Sequence, residues 1–211
     1  MARTRSENYD DIHRNILRAA CGLFARQGYM RASIAELAEA CELSRGALYH
    51  YFESKEAILF AILDGHVRQM IADVEAGMAD KPNTLDRFRA AIRAIVELNA
   101  RSSDEQRLIL NDLSFLSEAE QKTIKALERQ LVDVISDLLI RLDMEGKIVK
   151  RSKKIYAMML FGMLNFSHTW YDPKGTIDPT EFADMVVDQF LYGFAATRTT
   201  GAQTKQRRGL G

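Results

Sequence analysis

An excess of charge of either sign is the first thing this sequence lacks: 29 Lys plus Arg stand against 29 Asp plus Glu in 211 residues. The balance also holds within residues 1–60, where eight basic residues meet eight acidic ones. Bulk charge is therefore silent about a polyanionic partner, and only the placement of individual cations can speak for one. Cysteine is scarce, with Cys21 and Cys41 alone, which excludes a disulfide framework. Both read as small buried hydrophobes in a reducing compartment. Long hydrophobic runs are missing too. The most apolar stretch, IYAMMLFGMLNFSHTWY from Ile155 to Tyr171, has no Lys, Arg, Asp or Glu but carries Asn165, Ser167 and His168. It falls short of the roughly 18–20 residues that a membrane span needs. The polar start MARTRSENYDD has no apolar segment of a signal peptide, and a cytoplasmic protein is expected.

Signatures of catalysis are equally absent. There is no glycine-rich phosphate loop, no GxSxG elbow, no HExxH and no cysteine pair at metal spacing, and His13, His50, His66 and His168 form no ligand pattern. Neither an enzyme, a metal nor a cofactor is expected. Alternation with period two never runs long enough for a sheet, whereas period 3.6 recurs throughout, so the fold class is all-α with about nine helices.

The first helix carries Ile12, Ile16, Ala19, Leu23 and Phe24 on one stripe and stops at Gly28. Ser33 with Glu36 opens the second as a capping box, Ser44 caps a very short third, and Ser54 caps a fourth that runs toward Met78. Breaks are expected at ADKPNT (79–84), at ARSSDE (100–105) and near Ser117, which opens another capping box with Glu120. Ile124 to Leu142 is a long amphipathic helix, and Ile155 to Tyr171 another. The last helix starts with Asp178 as N-cap and Pro179 in the first turn, and presents Phe182, Met185, Val186, Phe190 and Leu191.

The segment LSRGALYHYFESKEAILF, residues 43–60, is the most informative. Cys41, Glu42 and Leu43 form a turn of the length a helix-turn-helix requires. On the third helix Leu48 and Phe52 share one face and point inward, which leaves Arg45, Gly46, Tyr49 and His50 outward. That face suits a major groove: Gly46 admits close approach, Arg45 can pair with a guanine edge or a phosphate, and Tyr49 with His50 can donate to phosphate oxygens. Lys55, in the first turn of the fourth helix, opposes the helix dipole at a place that seats phosphates, so an anion is its expected neighbour. Taken singly, Tyr49 and Tyr51 can also pack on the first helix with only their hydroxyls wet, and His50 can be an ordinary surface histidine.

The stretch from Gly28 to Ala38 (GYMRASIAELA), followed by LSRGALYHYF from Leu43 to Phe52 and by Ser54, Lys55 and Glu56, resembles the N-terminal DNA-binding domain of the TetR (tetracycline-repressor) family. The likeness covers roughly residues 10–60. It implies a homodimeric transcription regulator with a DNA-binding head over residues 1–55 and a ligand-binding and dimerisation body over 56–197. Typically such a protein is a repressor released from a palindromic double-stranded operator by a small molecule. The resemblance places Ser33, Ser44, Arg45, Gly46, Ala47, Tyr49, His50, Tyr51 and Lys55 at DNA-contacting positions. At Tyr51 the family more often has histidine.

Two further features concern the body. The Ile155–Tyr171 helix is apolar nearly all round, which fits one side on a core and another on a second copy, completed by the last helix; full burial within one chain is the alternative. Asn111 and Asn165 lie among apolar neighbours, and Phe115, Met158, Met159, Phe161, Gly162, Phe166 and Trp170 are candidates to line a pocket or are plain core. The end of the chain from Met163 to Gly193 is similar to TetR-family members that respond to acyl-CoA thioesters, which implies a hydrophobic effector of that kind. Among Arg107, Lys147, Lys150, Arg151, Lys153 and Lys154 the sequence does not choose a partner for its phosphates. Past Arg198, the cations Lys205, Arg207 and Arg208 face no acid, so 198–211 reads as a disordered basic tail. The competing class is a helical protein-interaction scaffold, which leaves the outward face of the third helix and Lys55 without a purpose.

Overall fold

The 3.6-residue spacing becomes nine α-helices, and no strand, in the computed structural model, which describes residues 2–143 and 152–201. They are α1 Ala2–Gln27, α2 Ile34–Ala40, α3 Arg45–Tyr49, α4 Lys55–Met78, α5 Thr84–Arg101, α6 Ser103–Asn111, α7 Glu118–Leu142, α8 Lys153–Phe166 and α9 Pro179–Gly201. Short 3-10 turns lie at Leu113–Phe115 and Ser167–Thr169. None of the described helices is long and apolar enough to cross a membrane.

Helix ends follow the local chemistry. Gly28 ends α1 at φ 87° and returns its N–H to the Phe24 carbonyl at 2.8 Å. The Ser54 hydroxyl accepts from the Ala57 N–H at 3.0 Å, and Asp178 Oδ1 accepts from the Glu181 N–H at 2.9 Å. Ser117 and Glu120 form the reciprocal pair expected ahead of α7.

Three boundaries differ from the sequence reading. The break at 100–105 shrinks to Ser102 between α5 and α6. The helix expected to reach Tyr171 stops at Phe166. Ser167, His168 and Thr169 turn their side chains back to the carbonyls of Leu164, Asn165 and Phe166, competing with the backbone for its own acceptors. In α9 the helical path is interrupted at Gly193 (φ 75°, ψ 167°) and resumes to Gly201, so position 198 falls inside a helical run. Residues 202–211, the rest of the basic tail, lie outside the described residues, as do Lys147, Lys150 and Arg151.

Two compact units emerge, each from two stretches of chain: Met1–Gln69 with Ser102–Arg129, and Met70–Arg101 with Gln130–Gly211. This cut differs from a linear one at residue 55, because α6 and the start of α7 pack with the head. In the first unit Ile16, Phe24, Leu37, Leu48, Leu59 and Leu108 are essentially fully buried. There α6 lies along α1, and burial together with Glu105 pushes the Cys21 thiol far above its ordinary range.

The second unit is built on Phe88, Ile92, Ile95, Ile135, Leu160 and Val187. Here α5 is tied to α9 by charge as well as by apolar packing. Arg93 meets Asp184 with two parallel bonds of 2.9 and 2.6 Å, and Arg89 reaches Asp188 at 2.5 Å and Asp184 at 3.6 Å. A two-pronged Arg–carboxylate pair at a half-buried seam is among the stronger surface ion pairs. Asp184→Asn is expected to lower unfolding stability by about 1–2 kcal/mol in urea denaturation at low salt, with the difference shrinking at 1 M salt.

Candidate nucleic-acid interface

A five-residue helix has few backbone hydrogen bonds of its own, so the geometry of α3 is set by what surrounds it. Ahead of it, α2 begins with the full capping box: the Glu36 N–H donates to Ser33 Oγ at 3.2 Å, and the Ser33 N–H donates to Glu36 Oε2 at 2.8 Å. The bonds from Ser33 hold the Glu36 carboxyl below the usual glutamate range. α2 ends in a Schellman motif: the Leu43 N–H donates to the Ala38 carbonyl at 2.8 Å and the Glu42 N–H to the Glu39 carbonyl at 3.0 Å. The left-handed residue this motif demands is Glu42, at φ 56°, where glycine is the usual occupant. Ser44 then caps α3 by accepting from the Ala47 N–H at 3.1 Å.

Behind α3, Leu48 and Phe52 are 1% and 7% exposed, as their spacing predicts. Ser44, Arg45, Gly46, Tyr49 and His50 all lie exposed, with Tyr49 at 52%, while Ala47 is half-buried. Exposed Ser33 sits at the head of α2. Tyr51 is less free than its neighbours. Its ring stacks on Tyr9 of α1 at 4.7 Å between centroids, and His13, one turn on, stacks on Phe52 at 4.6 Å. Tyr9 and His13 were missed at the sequence level, although an aromatic pair four residues apart on one helix face is a legible signal.

Lys55 is engaged within the protein. Its ammonium donates to the carbonyls of Tyr29 (2.9 Å) and Ala32 (3.1 Å) and lies 4.3 Å from the centroid of the Tyr29 ring. The dipole conflict that pointed to a phosphate is answered by two carbonyl dipoles and an aromatic face. Beside it, the Tyr29 hydroxyl donates to Glu56 Oε1 at 3.0 Å. Burial, reinforced by Glu56, raises the Tyr29 phenol above its ordinary range.

The residues proposed for a ligand fall in both units. Asn111 is exposed and donates to the Arg107 carbonyl at 2.7 Å, and Phe115 stacks on Tyr29, both within the first unit. Phe161, at 8% exposure, is core of the second unit, and Asn165 is half-buried. Lys153 and Lys154 are paired with Asp137 and Asp133. Met159, Gly162, Phe166 and Trp170 do share a site, an apolar groove of about 750 Å³ shared with α9 residues such as Met185 and Phe190. Met163, 38% exposed, lines it too, and the apolar surface continues with Ile155 at 59% exposure, Met158 at 57% and Tyr192 at 52%.

A capped helix, a tight turn and a second short helix that shows Arg, Gly, Tyr and His to solvent define a helix-turn-helix DNA-binding protein. Residues 16–62 match the family model for bacterial regulatory proteins of the tetR family, and residues 81–194 match that of the tetracyclin repressor-like C-terminal domain. The chain belongs to the TetR family of transcriptional regulators. It is similar to a TetR-family regulator from Bordetella parapertussis 12822, with 33% identity, a TM-score of 0.82, and coverage of 87% of this chain and 96% of that one. AibR, solved in complex with isovaleryl coenzyme A and operator DNA, is 28% identical with a TM-score of 0.74, over 84% of this chain and 97% of AibR. The HTH-type transcriptional activator FasR of Mycolicibacterium smegmatis is 24% identical over 184 residues, 87% of this chain and 83% of FasR.

The left-handed Glu42 supplies a direct check on the turn. An L-residue there costs about 1–2 kcal/mol relative to an ordinary backbone conformation, and glycine removes that cost at a smaller entropic one. Glu42→Gly is therefore expected to raise unfolding stability by about 0.5–1 kcal/mol, read from the urea midpoint.

Proposed function

We propose that this chain is a homodimeric repressor that reads a palindromic operator through α3 and is released by an acyl-CoA thioester. The observation that carries the DNA reading is the outward face of Arg45, Gly46, Tyr49 and His50 on a helix anchored by Leu48 and Phe52. Ser33, Ser44 and Ala47 flank that face, and Tyr51 contributes from its edge. Lys55 lies beside it, acting first as a strap on residues 29–32. One head reads one half-site, so a two-fold mate supplies the second about one helical turn, or a multiple of it, away.

The mate is a second copy held through α8 and α9. The exposed Ile155, Met158, Met159, Met163, Phe166 and Trp170 of α8 and the segment after it, with Met185 and Tyr192 of α9, make an apolar face too continuous for scattered surface residues. A two-fold axis covers such a face with itself. Support for the effector comes from AibR, whose structure holds isovaleryl coenzyme A together with operator DNA, at 28% identity over most of both chains. FasR is named an activator, and the repressor assignment rests on the family pattern of the head. Moving the dimer from about 99:1 to 1:99 between binding states needs an effector preference of roughly 10⁴-fold, on the order of 5.5 kcal/mol.

Fluorescence anisotropy against DNA from the region upstream of its own coding sequence tests the DNA reading. The wild type should bind one fragment specifically, losing roughly 10³- to 10⁵-fold in affinity between 50 and 200 mM salt. Tyr49→Ala should weaken that binding about tenfold while leaving the dimer intact; equal affinity for both proteins removes Tyr49 from the interface. Adding isovaleryl-CoA should release the DNA, with free coenzyme A as the control, and transcription in vitro with and without the thioester gives the sign of control.

The dimer has a separate check. Phe166 is 65% exposed in the single chain, so Phe166→Asp should fold normally. Placed in an interface, its charge should weaken self-association by about 2 kcal/mol or more. Sedimentation of both proteins across a dilution series reads the difference, and identical behaviour sends the contact elsewhere.

A further inference from the structure

Phe115 stands in the 3-10 turn between α6 and α7, far along the chain from the helix-turn-helix, yet its ring stacks on Tyr29 with centroids 5.2 Å apart and planes 28° from parallel. Tyr29 belongs to the loop that leads into α2, and such a loop residue would ordinarily be wet; here it is 2% exposed. Its ring also meets Phe24 edge-on at 5.2 Å and the Lys55 ammonium at 4.3 Å, and its hydroxyl is bound by Glu56. The loop is thus gripped from the first turn of α4 by Lys55 and Glu56 and covered from the α6–α7 turn by Phe115. Within the loop, the N–H groups of Arg31 and Ala32 both donate to the Gly28 carbonyl at 3.2 Å, and Ser33, which follows at once, caps α2. Phe115 itself is 39% exposed, so its ring does not serve a core. Its assignable role is the stacked contact.

We propose that Phe115 is a positioning residue for DNA recognition: its ring holds Tyr29, and through it the 29–33 loop, in the pose that presents α2 and α3 to the operator. The DNA part of this inference rests on the function proposed above; the loop-holding part does not. A displacement of the α6–α7 turn that lifts the ring frees the loop, so operator affinity becomes responsive to a segment that touches no DNA.

Hydrogen exchange on the full chain, without DNA, reads the loop directly. Because the ring is partly exposed, Phe115→Ala should keep the fold. It should speed exchange at the Arg31 and Ala32 amides about 3- to 10-fold, the worth of one aromatic pair, while leaving α5 and α9 unchanged. Phe115→Tyr should restore protection and Phe115→Leu, of similar bulk but without a ring, should not. The same series should weaken operator binding in the same order. Unchanged exchange in Phe115→Ala, or a leucine as protective as a tyrosine, overturns the contact. Faster exchange with unaltered operator affinity overturns the link to recognition. A wild type that binds no operator defeats the DNA reading itself, and exchange then decides alone whether Phe115 holds the loop.

Discussion

With five residues, less than two turns, α3 cannot offset the entropy of its own nucleation, so it is helical only because the surrounding head imposes that shape. Every other feature of the head answers this constraint. Ser44 satisfies one of its free N–H groups, the Schellman turn at Glu42 sets its direction away from α2, and Leu48 with Phe52 sinks its back into the core. The rings of Tyr9 and His13 clamp the residues that follow it. Once the back is fixed, the front needs no internal partners, and that is what leaves Arg45, Tyr49 and His50 available to a ligand.

A zero net charge is reconciled with a DNA-binding role by where the charges are spent. In the second unit arginine and aspartate neutralise each other along the α5–α9 seam, through Arg89, Arg93, Asp184 and Asp188. In the head, Lys55 is turned inward onto carbonyl oxygens, and Glu36 and Glu56 are occupied with a cap and a phenol. What remains on the outer face of α3 is a single arginine with hydroxyl and imidazole donors. Such a face acts through the placement of a few donors rather than through a large basic field.

The apolar surface of α8 and α9 follows from the same economy of partners. Along α8, Ala157, Leu160, Phe161 and Leu164 are buried while Ile155, Met158, Met159, Met163 and Phe166 are exposed, so the helix has one satisfied stripe and one unsatisfied. Methionine suits an unsatisfied stripe, because its flexible side chain adapts to whatever packs against it.

Read residue by residue, the sequence determined whatever depends on near neighbours. The capping box at Ser33, the glycine stop at Gly28, the Asp178–Pro179 start of α9 and the inward pair Leu48 and Phe52 all appear where spacing placed them, because caps and helix faces are decided within four residues. It could not decide what distant segments do to one another. The Lys55 ammonium meets the carbonyls of Tyr29 and Ala32, the Phe115 ring meets that of Tyr29, and α6 joins the head although it is remote from it in sequence. Only the tertiary structure sets those pairings, since the free energy of a carbonyl meeting an ammonium, or of two rings meeting, depends on a distance that no local pattern encodes.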